Sequence, residues 1–250
     1  MNPQPVGSGR SPGIRKAGTL SLVLVIASGC TMTQNVQQID RLESVEANPR
    51  IVLMPPDIRY YLLTAGGVPE PHAEWTEAAQ ANFTTAFDDY ARGIGADLKV
   101  VDPDNVGATE IRFEKLHSAV GLSILQHHFG MMKLPTKENG EVFDWSLGPE
   151  ARMLAEEHDA DYGMFVYYRD YQASGGRVAF AILAAAAGVG VPTGSEHGFA
   201  SMVDLRTGDI VWFNVVNAGS GEMRQEQGAA TAVRTLFRDL PTADGNETSE

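Results

Sequence analysis

Apolar residues recur every three or four positions in several stretches of the chain, which is the spacing of one face of an α-helix. Such stripes predict helices over residues 71–95, 113–131 and 229–240. A fourth helix is predicted for residues 149–157, because Pro149 suits the first turn of a helix. The intervening segments carry a different pattern.

Short runs rich in β-branched and aromatic residues predict strands between these helices. They cover residues 50–54, 96–102 and 161–168. The first run stops at Pro55-Pro56, where we expect the chain to turn. Strands that alternate with helices in this way are typical of crossover units on a largely parallel sheet.

The clearest antiparallel pair is predicted near the end of the chain. Residues 199–205 and 209–216 are two apolar runs joined by a short segment that ends at Gly208. Glycine can take the left-handed backbone angle that a tight hairpin needs. The sequence therefore predicts an α/β fold, a single-domain layered sandwich over residues 49–240. Its mixed sheet has a C-terminal antiparallel hairpin and flanking helices.

Composition supports a folded, acidic protein. Of the 250 residues 43% are hydrophobic and 20% are charged, as in ordinary globular proteins. The formal net charge is -13, and the first 29 residues contribute three positive charges and no negative one, so the remainder carries -16. Nucleic-acid binding depends on lysine and arginine contacts to phosphates, so this balance excludes nucleic acid as a partner.

The first 29 residues have the order of a secretory signal peptide. Three basic residues precede an apolar run at residues 19–28, and the small residue Gly29 comes directly before Cys30. The run of about ten residues is too short to cross roughly 30 Å of hydrocarbon as a helix. It is therefore predicted to be a targeting segment that is removed.

The segment Ile26-Ala27-Ser28-Gly29-Cys30 resembles the lipobox of bacterial lipoproteins, although Ala27 stands where leucine is usual. The resemblance implies cleavage before Cys30, a lipid on its thiol and further acylation, for example by palmitate. Thr31 resembles the residue that lets such lipoproteins reach the outer membrane. We therefore expect a body lipid-anchored in the cell envelope, on the periplasmic face of the outer membrane.

Residues 30–48 are polar and show no broad apolar stripe, so they are predicted to be a tether between the lipid and the domain. Residues 241–250 are predicted to be a disordered tail. Within the domain, three segments are similar to lipoproteins related to the curli-secretion protein CsgG and the amino-terminal domain of TolB. They are residues 50–56, 159–162 and 202–212. The segments that form the curli pore have no counterpart, so the resemblance does not extend to pore formation.

Residues 178–191 form an uninterrupted run of 14 small or apolar residues. The run is too short for a membrane-spanning helix. Three interpretations remain open: a buried helix or loop of the core, an exposed contact surface for a membrane or partner, and a membrane-inserting hairpin.

Known catalytic, metal-binding and nucleotide-binding motifs are not matched in this chain. The six histidines lack the His-Glu-x-x-His spacing, and the glycines after residue 187 lack the spacing of a nucleotide loop. His158, before Asp159, is interpreted as a helix-terminal histidine that the helix dipole favours. We predict no catalytic residue, metal ligand or cofactor, and Cys30 is the only site residue, as the lipidation site.

The expected function is therefore that of a periplasmic binding or assembly module, with an envelope protein as partner and homo-oligomers as a further expectation. Two alternatives stay open. One is a periplasmic enzyme whose site assembles in space, which a pocket lined by His127, His158 and carboxylates would favour. The other is a component of a multimeric secretion channel, which requires residues 178–191 to be exposed.

The lipid anchor is directly testable with Cys30→Ala. We expect this variant to remain uncleaved or unlipidated, because the chain has no second thiol to accept the lipid. Cells are supplied with labelled palmitate and the protein is then isolated. Equal labelling of the variant and the wild type would contradict lipidation at Cys30.

Overall fold

The computed structural model describes residues 33–43, 49–93, 97–217, 219 and 221–242. The strands within them are β1 (Thr33–Gln37), β2 (Arg50–Leu53), β3 (Asp57–Leu63), β4 (Pro69–Pro71), β5 (Asp97–Val100), β6 (Tyr162–Ala173), β7 (Gly194–Asp204) and β8 (Ile210–Val216). The α-helices are α1 (Ala73–Gly93), α2 (Ala108–Ile124), α3 (Arg152–His158), α4 (Gly175–Ala186) and α5 (Glu226–Leu236). The signal peptide and Cys30 lie outside the described residues.

The strands form one mixed sheet in the order β1-β8-β7-β6-β2-β5, with β3 also paired to β6 and β4 to β3. Strands β2, β3 and β5 belong to the parallel part, whereas β6, β7, β8 and β1 pair antiparallel in succession. The predicted α/β class and the mixed sheet are confirmed. The hairpin is also confirmed, and Gly208 at its turn has φ +85°.

Strand β6 lies at the centre of the sheet, and all its residues from Tyr162 to Asp170 are buried. Successive side chains of a strand point to opposite faces. Met164 and Val166 accordingly pack in the core that α1 and α5 cover, while Phe165 packs in the opposite core with residues of α2 and α3. Two helical layers therefore enclose the sheet.

The predicted turn at Pro55-Pro56 is wrong. The chain continues past the prolines along the same edge of β6, so that β2 pairs with the first part of β6 and β3 with its second part, both parallel. Proline has no N–H group to donate to a ladder, which interrupts the pairing without redirecting the chain. The sequence pattern alone did not indicate β3 or the short β4.

The predicted tether of residues 30–48 is also wrong in part, because Thr33–Gln37 forms strand β1. It pairs antiparallel with β8, with Thr33 opposite Val216. Polar side chains hid this strand from the pattern, since an edge strand needs only its backbone groups to pair. The side chain of Asn35 also donates a hydrogen bond to the Asp239 carboxylate at 2.8 Å.

The remaining boundaries shift by a few residues. The helix predicted to reach Met131 ends as α2 at Ile124 and continues as a single π-helical turn, Leu125–Phe129. The helix predicted for residues 149–157 begins with a 3₁₀ turn, Pro149–Ala151, before α3. Of the predicted tail, residues 243–250 lie outside the described part of the chain.

Phe237 provides a test of the core under α1 and α5. Its buried ring lies within 4.9 to 6.2 Å, centroid to centroid, of the rings of Phe83, Phe87, Tyr90 and Trp212. We expect Phe237→Ala to lower the free energy of unfolding by about 3–5 kcal/mol, because it leaves a cavity. Urea denaturation measures the change. Phe180→Ala, at a half-exposed position, should change it by less than about 0.5 kcal/mol.

Candidate functional site

The apolar run of residues 178–191 lies on the surface and not in the core. Its first part forms helix α4, in which no side chain is buried. Val178, Phe180, Ile182 and Leu183 are 42, 50, 66 and 72% exposed. The interpretation as a buried core helix is therefore wrong, because no other element of the described chain covers α4.

Local sequence explains why α4 forms without burial. Ser174 caps its start, since the Ser174 hydroxyl accepts a hydrogen bond from the Arg177 N–H at 3.2 Å. Alanine and leucine, which have high helix propensity, make up half of the helix. Gly188 ends it at φ +79°, and the N–H groups of Gly188 and Val189 bond to the carbonyls of Ala185 and Ala184.

The turn between β3 and β4 lies beside the first residues of α4. The Arg177 guanidinium is next to Gly67 and donates a hydrogen bond to the Pro192 carbonyl at 3.1 Å. Val68, in the same turn, is also exposed. We call the exposed apolar residues of this region the apolar pole. Its members are Val68, Val178, Phe180, Ile182, Leu183 and Val189.

Strand pairing places the start of β1 at the same end of the sheet as the apolar pole. Thr33 lies opposite Val216, Val216 opposite Gly198, and Gly198 opposite Tyr168. Beyond this level β6 continues for five residues to Ala173, about 16 Å at 3.3 Å per residue, and leads into α4. The start of β1 and the exposed helix α4 therefore lie at the same end of the sheet.

A cleft of about 720 Å³ lies beside α4, between the ends of β6 and β7 and the segment before α5. Its wall includes three carboxylates, Asp170, Glu196 and Glu222. Glu222 accepts a hydrogen bond from Arg224 Nε at 2.7 Å, and this bond is the largest cause of its lowered pKa. A cleft lined by three carboxylates favours the binding of a cationic group.

Asp170 is the buried carboxylate of this cleft. Among the described residues, its side chain accepts one hydrogen bond, a long one of 3.4 Å that the Gln172 amide donates. Burial, and then repulsion from Glu196 and Glu222, raises the pKa of Asp170 to about 6. No motif in the sequence marks these three acids, because they are far apart along the chain.

On the opposite side of β6, Arg169 and Asp57 form a buried ion pair. Arg169 donates to the Asp57 carboxylate at 2.6 Å and also lies 4.0 Å from the centre of the Tyr167 ring. Burial by itself would raise the pKa of Asp57, but the bonds from Arg169 and Arg59 lower it below the ordinary value. The pair is enclosed, which indicates that it organises β3 and β6.

The structure separates His127 from His158. His127 Nδ1 contacts the Met132 carbonyl at 2.7 Å, and His158 ends α3 as expected, but its Nε2 lies 2.9 Å from a Glu110 carboxylate oxygen. His117 is fully buried between Phe165 and Phe199, and burial lowers its pKa to about 3. Of His127 and His158, only His158 therefore contacts a carboxylate. The predicted lipidation site, Cys30, lies outside the described residues.

Comparisons with known proteins give no family for this chain. No protein-family model matches it, and no curated protein matches it. Among solved structures it is similar to a PelC dodecamer variant from Paraburkholderia phytofirmans, at 9% identity and a TM-score of 0.39, covering 83% of this chain and 96% of that chain. A second PelC dodecamer from this organism matches at 10% identity and a TM-score of 0.36, covering 83% and 97%. Neither likeness is close enough to assign a function.

The ionisation of Asp170 should make stability depend on pH. Its folded pKa of about 6 exceeds the ordinary 3.8, so the folded state loses stability as pH rises from about 4 to above 6. Asp170→Asn should remove this loss and gain at most about 3 kcal/mol at pH 8, and nothing below pH 4. Urea denaturation between pH 4 and pH 8 measures the free energy of unfolding of the wild type and of the variant. A gain that is equal at pH 4 and pH 8, or one also given by Asp88→Asn at an exposed position of α1, would contradict this role of Asp170.

Proposed function

We propose that this protein is a lipid-anchored lipoprotein of the cell envelope whose folded body is a binding or assembly module, held on the periplasmic face of the outer membrane. The observation that supports it is the position of α4. An exposed apolar helix lies at the end of the sheet where the chain leads back to Cys30. In this proposal α4 rests on the membrane beside the lipid anchor.

The argument for a membrane as the occupant of α4 begins with chain length. Cys30 is three residues before Thr33, and even a fully extended chain limits that separation to about 10 Å. A lipid on Cys30 would therefore keep the start of β1 close to the bilayer surface. The apolar pole, at the same end of the sheet, then faces the membrane.

The chemistry of α4 suits the boundary between headgroups and acyl chains. Residues 178–195 carry no charge, and Arg177, just before them, is turned toward Pro192. Fully burying one large apolar side chain contributes about 1.5–3 kcal/mol, so Phe180, Ile182 and Leu183 together can add substantial affinity. Twelve residues of helix span only about 18 Å, which is enough to lie in the interface but not to cross it. In the described chain, no helix is both long and apolar enough to cross a membrane.

The rest of the surface stays available to a partner in the periplasm. The acidic cleft beside α4 would favour a partner that presents a cationic group, and the net charge of -16 after removal of residues 1–29 disfavours polyanions. This is the binding or assembly part of the proposal. An envelope protein with a basic segment fits it best.

Self-association is the competing explanation for an exposed apolar helix. An apolar pole that met the same surface of a second copy would be covered without lipid. The similar PelC structures are dodecamers, and their low similarity does not decide the question for this chain. The two explanations can be separated, because membrane binding requires a bilayer whereas self-association requires only a second copy of the protein.

The test uses the chain from residue 30 onward with Cys30→Ala, made without residues 1–29, so that it retains α4 but carries neither the lipid nor the apolar run of residues 19–28. We expect it to float with phosphatidylcholine vesicles, and Ile182→Gln with Leu183→Gln in the same chain to weaken flotation at least about tenfold, because each substitution removes apolar contact with the acyl chains. Sedimentation of both chains without vesicles measures oligomeric state.

The matched control changes two apolar residues at the other end of the sheet. Ile111 and Met153 are 42 and 41% exposed on α2 and α3. Glutamine at both positions should leave flotation unchanged. Equal loss from the control pair, or flotation that the α4 variant does not weaken, would refute a membrane role for α4. An oligomer that dissociates in the α4 variant, without vesicle binding by either chain, would favour self-association.

A further inference from the structure

Three potential metal ligands meet where the start of α2 faces the end of α3. Glu110 is in the first turn of α2, and Glu157 and His158 are the last two residues of α3. One carboxylate oxygen from each glutamate and one imidazole nitrogen of His158 all lie within 4.8 Å of one another. This cluster is separate from the apolar pole and from the acidic cleft.

One carboxylate oxygen of Glu110 has no hydrogen-bond partner among the residues that the structure describes. The residue is 3% exposed, and its Oε2 accepts no hydrogen bond, while its Oε1 lies 2.9 Å from His158 Nε2. A glutamate at this helix position often accepts a bond from the N-cap N–H, but Oε2 does not. A buried carboxylate oxygen without a partner is costly, and a bound cation would supply what is missing.

Gly107 leaves the space for such a cation. A Cβ atom at this residue would lie 2.6 Å from Glu110 Oε2 and 3.7 Å from Glu157 Oε1, so the two oxygens converge on the position that glycine keeps open. Its backbone does not require glycine, because φ is -84° and ψ is 177°. The need to keep space for an ion explains why glycine occupies this position.

We propose that Glu110, Glu157 and His158 bind a divalent metal ion of the zinc class, which ties α2 to α3. Two ligands of one tetrahedral Zn²⁺ ion lie about 3.4 Å apart, so a movement of at most about 1.5 Å by the exposed Glu157 side chain completes the set. The imidazole favours Zn²⁺ over Mg²⁺ or Ca²⁺, which prefer oxygen ligands alone. This site does not depend on the proposed lipid anchor or on α4.

The test uses the full chain, purified in detergent without a histidine tag and stripped of metal with a chelator. Calorimetric titration with Zn²⁺ should show one bound ion, and the Tm should rise; Mg²⁺ and Ca²⁺ should do neither. Glu157→Gln and His158→Gln should each weaken Zn²⁺ binding by at least about tenfold. Since Glu157 is exposed, its variant should fold as the wild type does without metal.

Gly107→Ala gives an independent result, because it keeps all three ligands and places a Cβ atom between the Glu110 and Glu157 oxygens. It should abolish the Zn²⁺-dependent rise in Tm. Glu156→Gln, an exposed acid on the same helix, and His127→Gln, a histidine outside the cluster, should bind as the wild type does. The proposal is overturned if the stripped protein binds no Zn²⁺, or if Gly107→Ala and Glu157→Gln bind it as tightly as the controls.

Discussion

The burial of β6 on both faces is the constraint on which the structure depends. A strand that is covered on both sides must supply apolar side chains in each direction, and Tyr162 and the residues from Met164 to Tyr168 meet that demand. Its neighbours follow from it, because β2 and β3 pair along one edge of β6 and β7 along the other. The helical layers then have two apolar surfaces to cover.

The length of β6 also decides where the candidate surfaces lie. Strands β6 and β7 extend past the level at which β8 and β1 stop, and α4 connects their extended ends. The buried charges Arg169 and Asp170 occur in this extension, on opposite faces of the sheet. The acidic cleft and the apolar pole thus depend on the part of β6 and β7 that extends beyond β8 and β1.

Apolar periodicity in the sequence was sufficient to predict several elements of the fold. Helices α1, α2 and α5, the strand around Phe165 and the hairpin at Gly208 were all predicted close to their observed positions. Strands β1 and β3 were missed, since β1 is polar and β3 follows two prolines. Both depend on a partner strand that is distant in sequence, which local patterns do not report.

The candidate sites were harder to predict for a related reason. The run after residue 177 was recognised as unusual, but exposure is a property of what packs against a helix, and sequence does not give it. Glu110 and His158 come together because α2 and α3 pack on the same face of the sheet. Their separation in the chain left no motif spacing to detect.

The pairing of β1 with β8 has a consequence for how the chain folds. The first described strand needs β8 as its partner, so it can join the sheet only after residues up to Val216 have been synthesised. Contacts of such long range form late because closing the intervening loop is costly in entropy. Residues 33–37 therefore have no strand partner until β8 is available.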